Sequence, residues 1–238
     1  MNRTLAIGML AVCLAVVSTG CSRSPRVTFY TLEPAARLEA AAPALVRSTA
    51  VSATASAAPV PTPAPASAVT ASAPAVTAPA SPMAAASVVV GPVTLPELVD
   101  RPQLVVRVAP NRVAILESER WAEPLRSQIP RVIAEDLGRL LGSSRVASHL
   151  QHAGTEAGYR VLLDIERFEA SPGEAVSVEA VWSLRRAAGG VPLAGRSRVR
   201  EAAKGEGYDA LVAAYGRALL AVSADLARAI GSEGALGR

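Results

Sequence analysis

Residues 159–202 read YRVLLDIERFEASPGEAVSVEAVWSLRRAAGGVPLAGRSRVREA, and they contain three β-like stretches joined by two turn sequences. The turns are SPGE at 171–174 and AAGGVP at 187–192, and both are rich in Gly and Pro. Between them, apolar and polar residues alternate in the manner of a strand with one buried face. The pattern therefore predicts antiparallel strands at 159–168, 175–186 and 193–202.

Helical periodicity flanks this segment on both sides. On the C-terminal side Asp209 is a capping residue for a helix that runs to Ile230, before Gly231. On the N-terminal side the apolar spacing predicts a helix from about Glu119 to Leu141. Within that range Pro124 suits the first turn, whereas Pro130 removes a backbone donor and is expected to kink or delay the helix.

Further apolar runs predict strands at Val88–Val90, Gln103–Val108 and Val113–Leu116. A separate alternating stretch, Val27–Leu32, looks like a strand of the same sheet cut off by an insertion. Residues 93–101 follow Pro92 and contain Pro96, which favours an ordered surface loop. The predicted class is α+β: a mainly antiparallel sheet with two helices packed on one face.

The charge of the chain is uneven, so the basic pI of 9.6 is misleading. Residues 88–238 carry 19 Lys or Arg and 18 Asp or Glu, which leaves a net charge of +1. A nucleic-acid binder is expected to concentrate positive charge on its folded part. The composition therefore argues against a nucleic-acid partner.

The N-terminus has the features of a bacterial lipoprotein signal. Residues 5–17 form an apolar run of 13 residues, too short for a membrane span, and the small residues Thr19 and Gly20 precede Cys21. We predict a signal peptide at 1–20, lipid attachment at Cys21, and an acylated N-terminus with the first strand at 21–34. The alternative is an ordinary secretory signal followed by a spare thiol.

Residues 35–87 are predicted to be a disordered linker rich in Ala, Pro, Ser and Thr. The stretch 48–87 holds 40 residues without a charge, including 16 Ala and 7 Pro, and such a composition offers little that can build a core. Two interpretations stay open. The linker either tethers the domain away from the membrane or is a tolerated insertion, since lengthening a loop costs little. Residues 88–238 form the predicted α+β domain.

Residue patterns for catalysis are missing from the sequence. There is no Gly-rich phosphate loop, and we predict no enzyme activity, no cofactor and no metal site. His149 and His152 are three apart but have no Cys or acidic cluster beside them, so exposed loop positions are favoured over metal ligands. The alternating Arg196, Arg198 and Arg200 line one strand face, where lipid headgroups or an acidic partner are conceivable contacts. The turn register favours a simpler role, in which Arg198 lies opposite Glu179 as a cross-strand ion pair.

Three further motifs carry a family resemblance. FYTL at 29–32 after the Cys, VVVGPVTLPELVDRPQLVVR at 88–107 and RWAEPL at 120–125 occur in that order. Together they resemble the PqiC family of ABC-type transport auxiliary lipoproteins, over nearly the whole mature chain. The resemblance implies an outer-membrane lipoprotein on the periplasmic face. It also implies a partner, an MCE-domain tunnel protein anchored in the inner membrane, with which it moves lipids or maintains the envelope.

We predict a docking module whose partner contacts include Leu95, Leu98 and Arg101. For the two leucines, a role in covering the sheet edge is equally open. A homo-oligomer is possible. The alternatives to docking are a periplasmic lipid carrier, which needs an apolar cavity between sheet and helices, and a lipid-anchored hydrolase, which needs a nucleophile and a base.

Changing Cys21 to Ala is expected to release a folded protein from the membrane, because the anchor is chemically separate from the core. Fractionation of the cell envelope should then find the variant in the soluble periplasmic fraction. A variant that stays with the membrane would show that lipid on Cys21 is not the anchor.

Overall fold

The computed structural model describes residues 26–38, 87–151 and 157–236. The predicted signal peptide, Cys21 and most of the predicted linker lie outside these residues. Residues 35–38, which we had assigned to the linker, are helical, and Ala35 is only 1% exposed. The folded chain therefore continues past residue 34.

The predicted α+β class is confirmed, with the strands divided between two sheets. Eight strands and two long helices occur in the described residues. They are β1 (Thr28–Tyr30), β2 (Val88–Thr94), β3 (Gln103–Ala109), β4 (Arg112–Trp121), α1 (Leu125–Leu141), β5 (Val146–Ser148), β6 (Tyr159–Ser171), β7 (Ala175–Arg186), β8 (Leu193–Ala202) and α2 (Gly207–Leu236).

The larger sheet has the order β5-β2-β6-β7-β8 and contains the three predicted antiparallel strands as β6, β7 and β8. At its other side β2 runs parallel to both β5 and β6. β2 continues through Gly91 and Pro92 to Thr94, with an irregularity in register between Val90 and Val93. The loop predicted at 93–101 therefore begins only at Leu95.

The smaller sheet has the order β1-β4-β3. The separated strand does pair, as its alternation suggested, but with β4 and in parallel: Thr28 lies opposite Glu119 and Tyr30 opposite Trp121. β4 occupies residues that we had predicted as the start of a helix. Because β4 lasts to Trp121, α1 begins at Leu125 and not near Glu119.

Two of the predicted helix signals can be checked in α1. The helix includes Pro130, which is buried, and ends at Gly142 with a left-handed φ of 63°. The Gly142 N–H donates to the Arg139 carbonyl at 3.2 Å. Glycine is favoured there because a side chain strains this backbone conformation.

The core lies between the larger sheet and the two helices. Tyr215 of α2 stacks on Phe168 of β6 with ring centroids 4.0 Å apart, and Trp121 meets the same tyrosine edge-on at 6.2 Å. By length and composition α2 would be able to cross a membrane, but 67% of its apolar window is buried. In this fold that apolar surface covers the sheet.

Gln128 of α1 ties the separated strand to the domain. Its side chain is fully buried, its Oε1 accepts from the Leu32 N–H at 2.7 Å, and its Nε2 donates to the Glu123 carbonyl at 2.6 Å. Beside it, α2 approaches the same segment closely. A methyl group at Gly216 would lie 2.5 Å from the Glu33 carbonyl oxygen, so the absence of a side chain allows the contact.

Asp136 of α1 is 1% exposed, and neither carboxyl oxygen has a hydrogen-bond partner among the described residues. Burial raises its pKa to about 7. Arg139 partly opposes this rise, and Glu135 adds to it. The folded protein therefore favours the protonated form of this buried, unpaired carboxyl group.

Replacing Gln128 with Met should lower the free energy of unfolding by about 2 kcal/mol, because the buried Leu32 N–H loses its acceptor. Chemical denaturation measures the change. Gln103→Met is the matched control, since Gln103 makes an exposed hydrogen bond to Glu117 at 3.2 Å. Equal losses in the two variants would contradict a special role for Gln128.

The raised pKa of Asp136 predicts a pH dependence of stability. The folded state holds this proton up to about pH 7, whereas the ordinary value is 3.8, so the carboxyl group's contribution to stability falls as pH rises between them. Asp136→Asn removes this loss. The unfolding free energy of the variant relative to the wild type should therefore increase from pH 4 to pH 8. A pH-independent difference between the two proteins would contradict the assignment.

Candidate functional site

The segment after β2 separates the predicted partner contacts into buried and exposed residues. It turns sharply, with the N–H groups of Val99 and Asp100 both donating to the Pro96 carbonyl at 3.0 and 3.1 Å. Leu95 lies in the hydrophobic core and is 8% exposed, which fits the sheet-covering role and removes it from the available surface. Leu98 is 39% exposed, and Arg101 is half-buried.

A surface groove of about 320 Å³ lies between this turn and the start of α1. Its two walls come from the two longer family-like motifs, which are distant in sequence. The lining residues are Asp100, Arg101, Pro102, Trp121, Ala122, Glu123, Pro124 and Leu125. The structure therefore brings the predicted contact Arg101 together with the RWAEPL motif.

Backbone hydrogen bonds fix the walls of the groove to each other. The Trp121 N–H donates to the Pro102 carbonyl at 2.7 Å, and the Ala122 N–H donates to the Tyr30 carbonyl at 2.8 Å. The third motif, FYTL, thus contributes the backbone carbonyl that holds the Trp121 wall of the groove. Tyr30 also donates its hydroxyl to Glu119 at 2.8 Å, and burial together with this carboxylate raises the pKa of Tyr30.

The two arginines at the groove differ in their partners. Arg126 donates from Nε to Asp100 at 2.7 Å, and this hydrogen bond raises its pKa. Arg101 has a buried Nε that donates to nothing in the described part of the chain. A buried guanidinium donor without an acceptor is costly unless a ligand supplies one. Arg101 therefore brings to the groove wall a guanidinium group without a partner among the described residues.

The three arginines of β8 that the sequence singled out form ion pairs with glutamates. Arg198 lies opposite Glu179 as predicted and forms the ion pair at 3.4 Å. Arg196 and Arg200 pair with Glu166 at 2.8 Å and Glu174 at 3.6 Å.

The sequence also named two histidines and Cys21 as candidate site residues. His149 follows β5, and its Nδ1 is buried without a partner, while His152 lies outside the described residues. The described residues contain no group of three His, Cys, Asp or Glu side chains suited to a metal. Cys21 also lies outside them and stays a prediction.

Sequence reasoning missed the role of Trp121, which lines the groove, and of Gln128, which bonds the backbone of Leu32 and of the groove residue Glu123. Trp121 had been placed inside a helix, and only the longer β4 puts it in the groove wall. Gln128 shares the buried stripe of α1 with Val132 and Asp136, at intervals of four residues. A polar residue on a predicted buried helical stripe was the signal available for it.

Solved structures with the same fold provide a comparison. A crystal structure described only as that of an uncharacterized protein is 20% identical, with a TM-score of 0.54, and the match covers 60% of this chain and 92% of that chain. A Xanthomonas campestris protein of family DUF330 is 19% identical, with a TM-score of 0.49 and coverage of 59% and 81%. The first similarity supports the fold alone. No curated protein matches the chain.

The family model for the ABC-type transport auxiliary lipoprotein component matches residues 68–227. The match covers β2 to β8 and most of α2, including both walls of the groove. More than half of the chain is therefore accounted for by one family. The chain belongs to the family of ABC-type transport auxiliary lipoprotein components.

Proposed function

We propose that this protein is a non-enzymatic outer-membrane lipoprotein that acts as the docking subunit of an MCE-type intermembrane lipid transport system. Membership in a transport auxiliary lipoprotein family supports a membrane-anchored place in the envelope and a role without catalysis. The outer membrane, its periplasmic face and the MCE-domain partner are part of the proposal.

The observation that carries the proposal is the groove between Arg101 and Trp121. It is built from the segments that resemble the transport family, and it contains the Arg101 side chain, whose Nε has no acceptor among the described residues. Exposed Leu98 lies on the same turn as Arg101. An exposed apolar side chain on the same turn as this arginine suits a protein contact, because arginine is enriched among interface anchors and the core of an interface buries apolar area.

The packing between sheet and helix favours docking over the lipid-carrier alternative. A carrier needs apolar space in this layer to hold acyl chains. Here Phe168, Tyr215 and Leu219 are buried and fill the layer between β6 and α2. A docking protein has no need of such space, because it binds at its surface.

The test is a crosslinked pull-down of the lipoprotein from intact envelopes. The double variant Leu98→Asp with Arg101→Gln should reduce recovery of the MCE-domain protein at least tenfold, because it removes both anchors. Its unfolding midpoint should stay within about 2 °C of the wild type, as expected for surface positions.

The matched control is Leu140→Asp with Arg112→Gln. Leu140 is 43% exposed and Arg112 is exposed, so the same chemical changes are made away from the groove. Normal recovery in the control and loss in the groove variant support docking there. Recovery of labelled lipid without any MCE-domain protein would favour the carrier.

A further inference from the structure

The outward face of the larger sheet is covered by ion pairs, with one exception. Most charged side chains of β6, β7 and β8 have an oppositely charged neighbour or a hydrogen bond. These include Arg196 with Glu166, Arg167 and Arg198 with Glu179, Arg107 with Glu169, Arg200 with Glu174, and Thr94 with Asp164. This arrangement neutralises nearly the whole face.

The exception is Arg160 and Arg185, which lie directly opposite each other on β6 and β7. Both side chains are exposed, and neither has an ion pair or hydrogen bond in the described part of the chain. Like charges at facing positions of an antiparallel pair are only about 5 Å apart at Cβ and destabilise the sheet. The next residue, Arg186, is neutralised by Glu233 at 2.9 Å, so a carboxylate is within reach of this end of β7 but not of the facing pair among the described residues.

An exposed apolar loop tip lies at the same end of the sheet. The turn after β7 contains Gly189 and Gly190, both with positive φ, and places Val191 94% exposed. The Ala187 N–H donates to the Gly158 carbonyl at 3.0 Å, which holds this turn beside the start of β6 and hence beside Arg160. The two arginines and the valine therefore lie at the same end of the larger sheet, with Val191 on the side of Tyr159, Arg186 and Glu233.

We propose that this edge binds an anionic phospholipid surface, with Arg160 and Arg185 on headgroup phosphates and Val191 inserted among the headgroups. Two guanidinium groups on neighbouring strands can donate together to one phosphate, which accepts several hydrogen bonds. The charge repulsion within the pair is relieved only when the anion is bound. The valine contributes apolar burial that a soluble phosphate ion does not offer.

The experiment uses the chain from Ser22 onward, which lacks the predicted anchor and keeps every described residue. Its binding to vesicles of phosphatidylglycerol mixed with phosphatidylcholine is measured by co-sedimentation, with pure phosphatidylcholine vesicles for comparison. Arg160→Gln with Arg185→Gln should weaken binding to the anionic vesicles about 30-fold, since each arginine near such a surface contributes about a factor of five. Val191→Ser should weaken it about fivefold.

Matched variants separate this site from general charge. Arg196→Gln with Arg200→Gln changes the net charge equally but affects arginines that already have partners. Val108→Ser replaces a valine that is 46% exposed on another strand. Both controls should bind as the wild type does. An equal loss in the arginine control would overturn the proposal, because binding would then follow net charge alone.

Two more measurements distinguish the alternatives. The Arg160 and Arg185 double variant should unfold at the same temperature as the wild type or higher, because it removes a repulsion. A large drop in that temperature would assign the pair a structural role and overturn the proposal.

Displacement from vesicles by millimolar inorganic phosphate would indicate a site for the free ion. Unchanged vesicle binding with reduced recovery of the MCE-domain protein would assign the pair to a protein contact. Either result would overturn the lipid surface without affecting the groove at Arg101.

Discussion

Residues 28–38 are attached to both helices by hydrogen bonding, close backbone approach and apolar packing. The buried Gln128 side chain binds the backbone at Leu32, Gly216 lets Glu33 approach α2, and Tyr30 and Leu32 enter the core. Burying large apolar side chains contributes about 1.5–3 kcal/mol each, whereas closing a long loop costs an amount that grows slowly with its length. Docking of the strand is therefore compatible with the length of chain that separates residue 38 from β2.

This attachment also organises the groove. The Tyr30 carbonyl accepts from the Ala122 N–H, so the docked strand holds the end of β4 at the point where Trp121 forms the groove wall. Pro102 holds the opposite wall through the Trp121 N–H. Three motifs far apart in the sequence thus form one surface because each supplies a backbone partner to the next.

The arginines of the chain differ in whether a carboxylate lies near the guanidinium group. Exposed ion pairs such as Arg198 with Glu179 contribute little to stability, but they leave the sheet surface neutral. Against that background Arg101 lies in a groove wall without an acceptor among the described residues, and Arg160 and Arg185 face each other without one. The residue type is the same in every case. What differs is whether the neighbouring strands place a carboxylate within reach.

Local alternation, turn residues and short motifs were enough to predict the α+β class, the β6–β8 meander, the pairing of Arg198 with Glu179 and the family resemblance. Of the predicted partner contacts, Leu95 belongs to the core, whereas Leu98 and Arg101 stay predictions. The tertiary structure was needed for the parallel pairing of β1 and β2, the extension of β4 to Trp121 and the position of Gln128. Parallel pairing joins strands distant in the chain and leaves no turn signal between them, and a strand's end depends on which partner remains beside it. The groove follows from those long-range pairings, so its residues were visible in the sequence but their meeting was not. The facing of Arg160 and Arg185 follows instead from the β6–β7 hairpin.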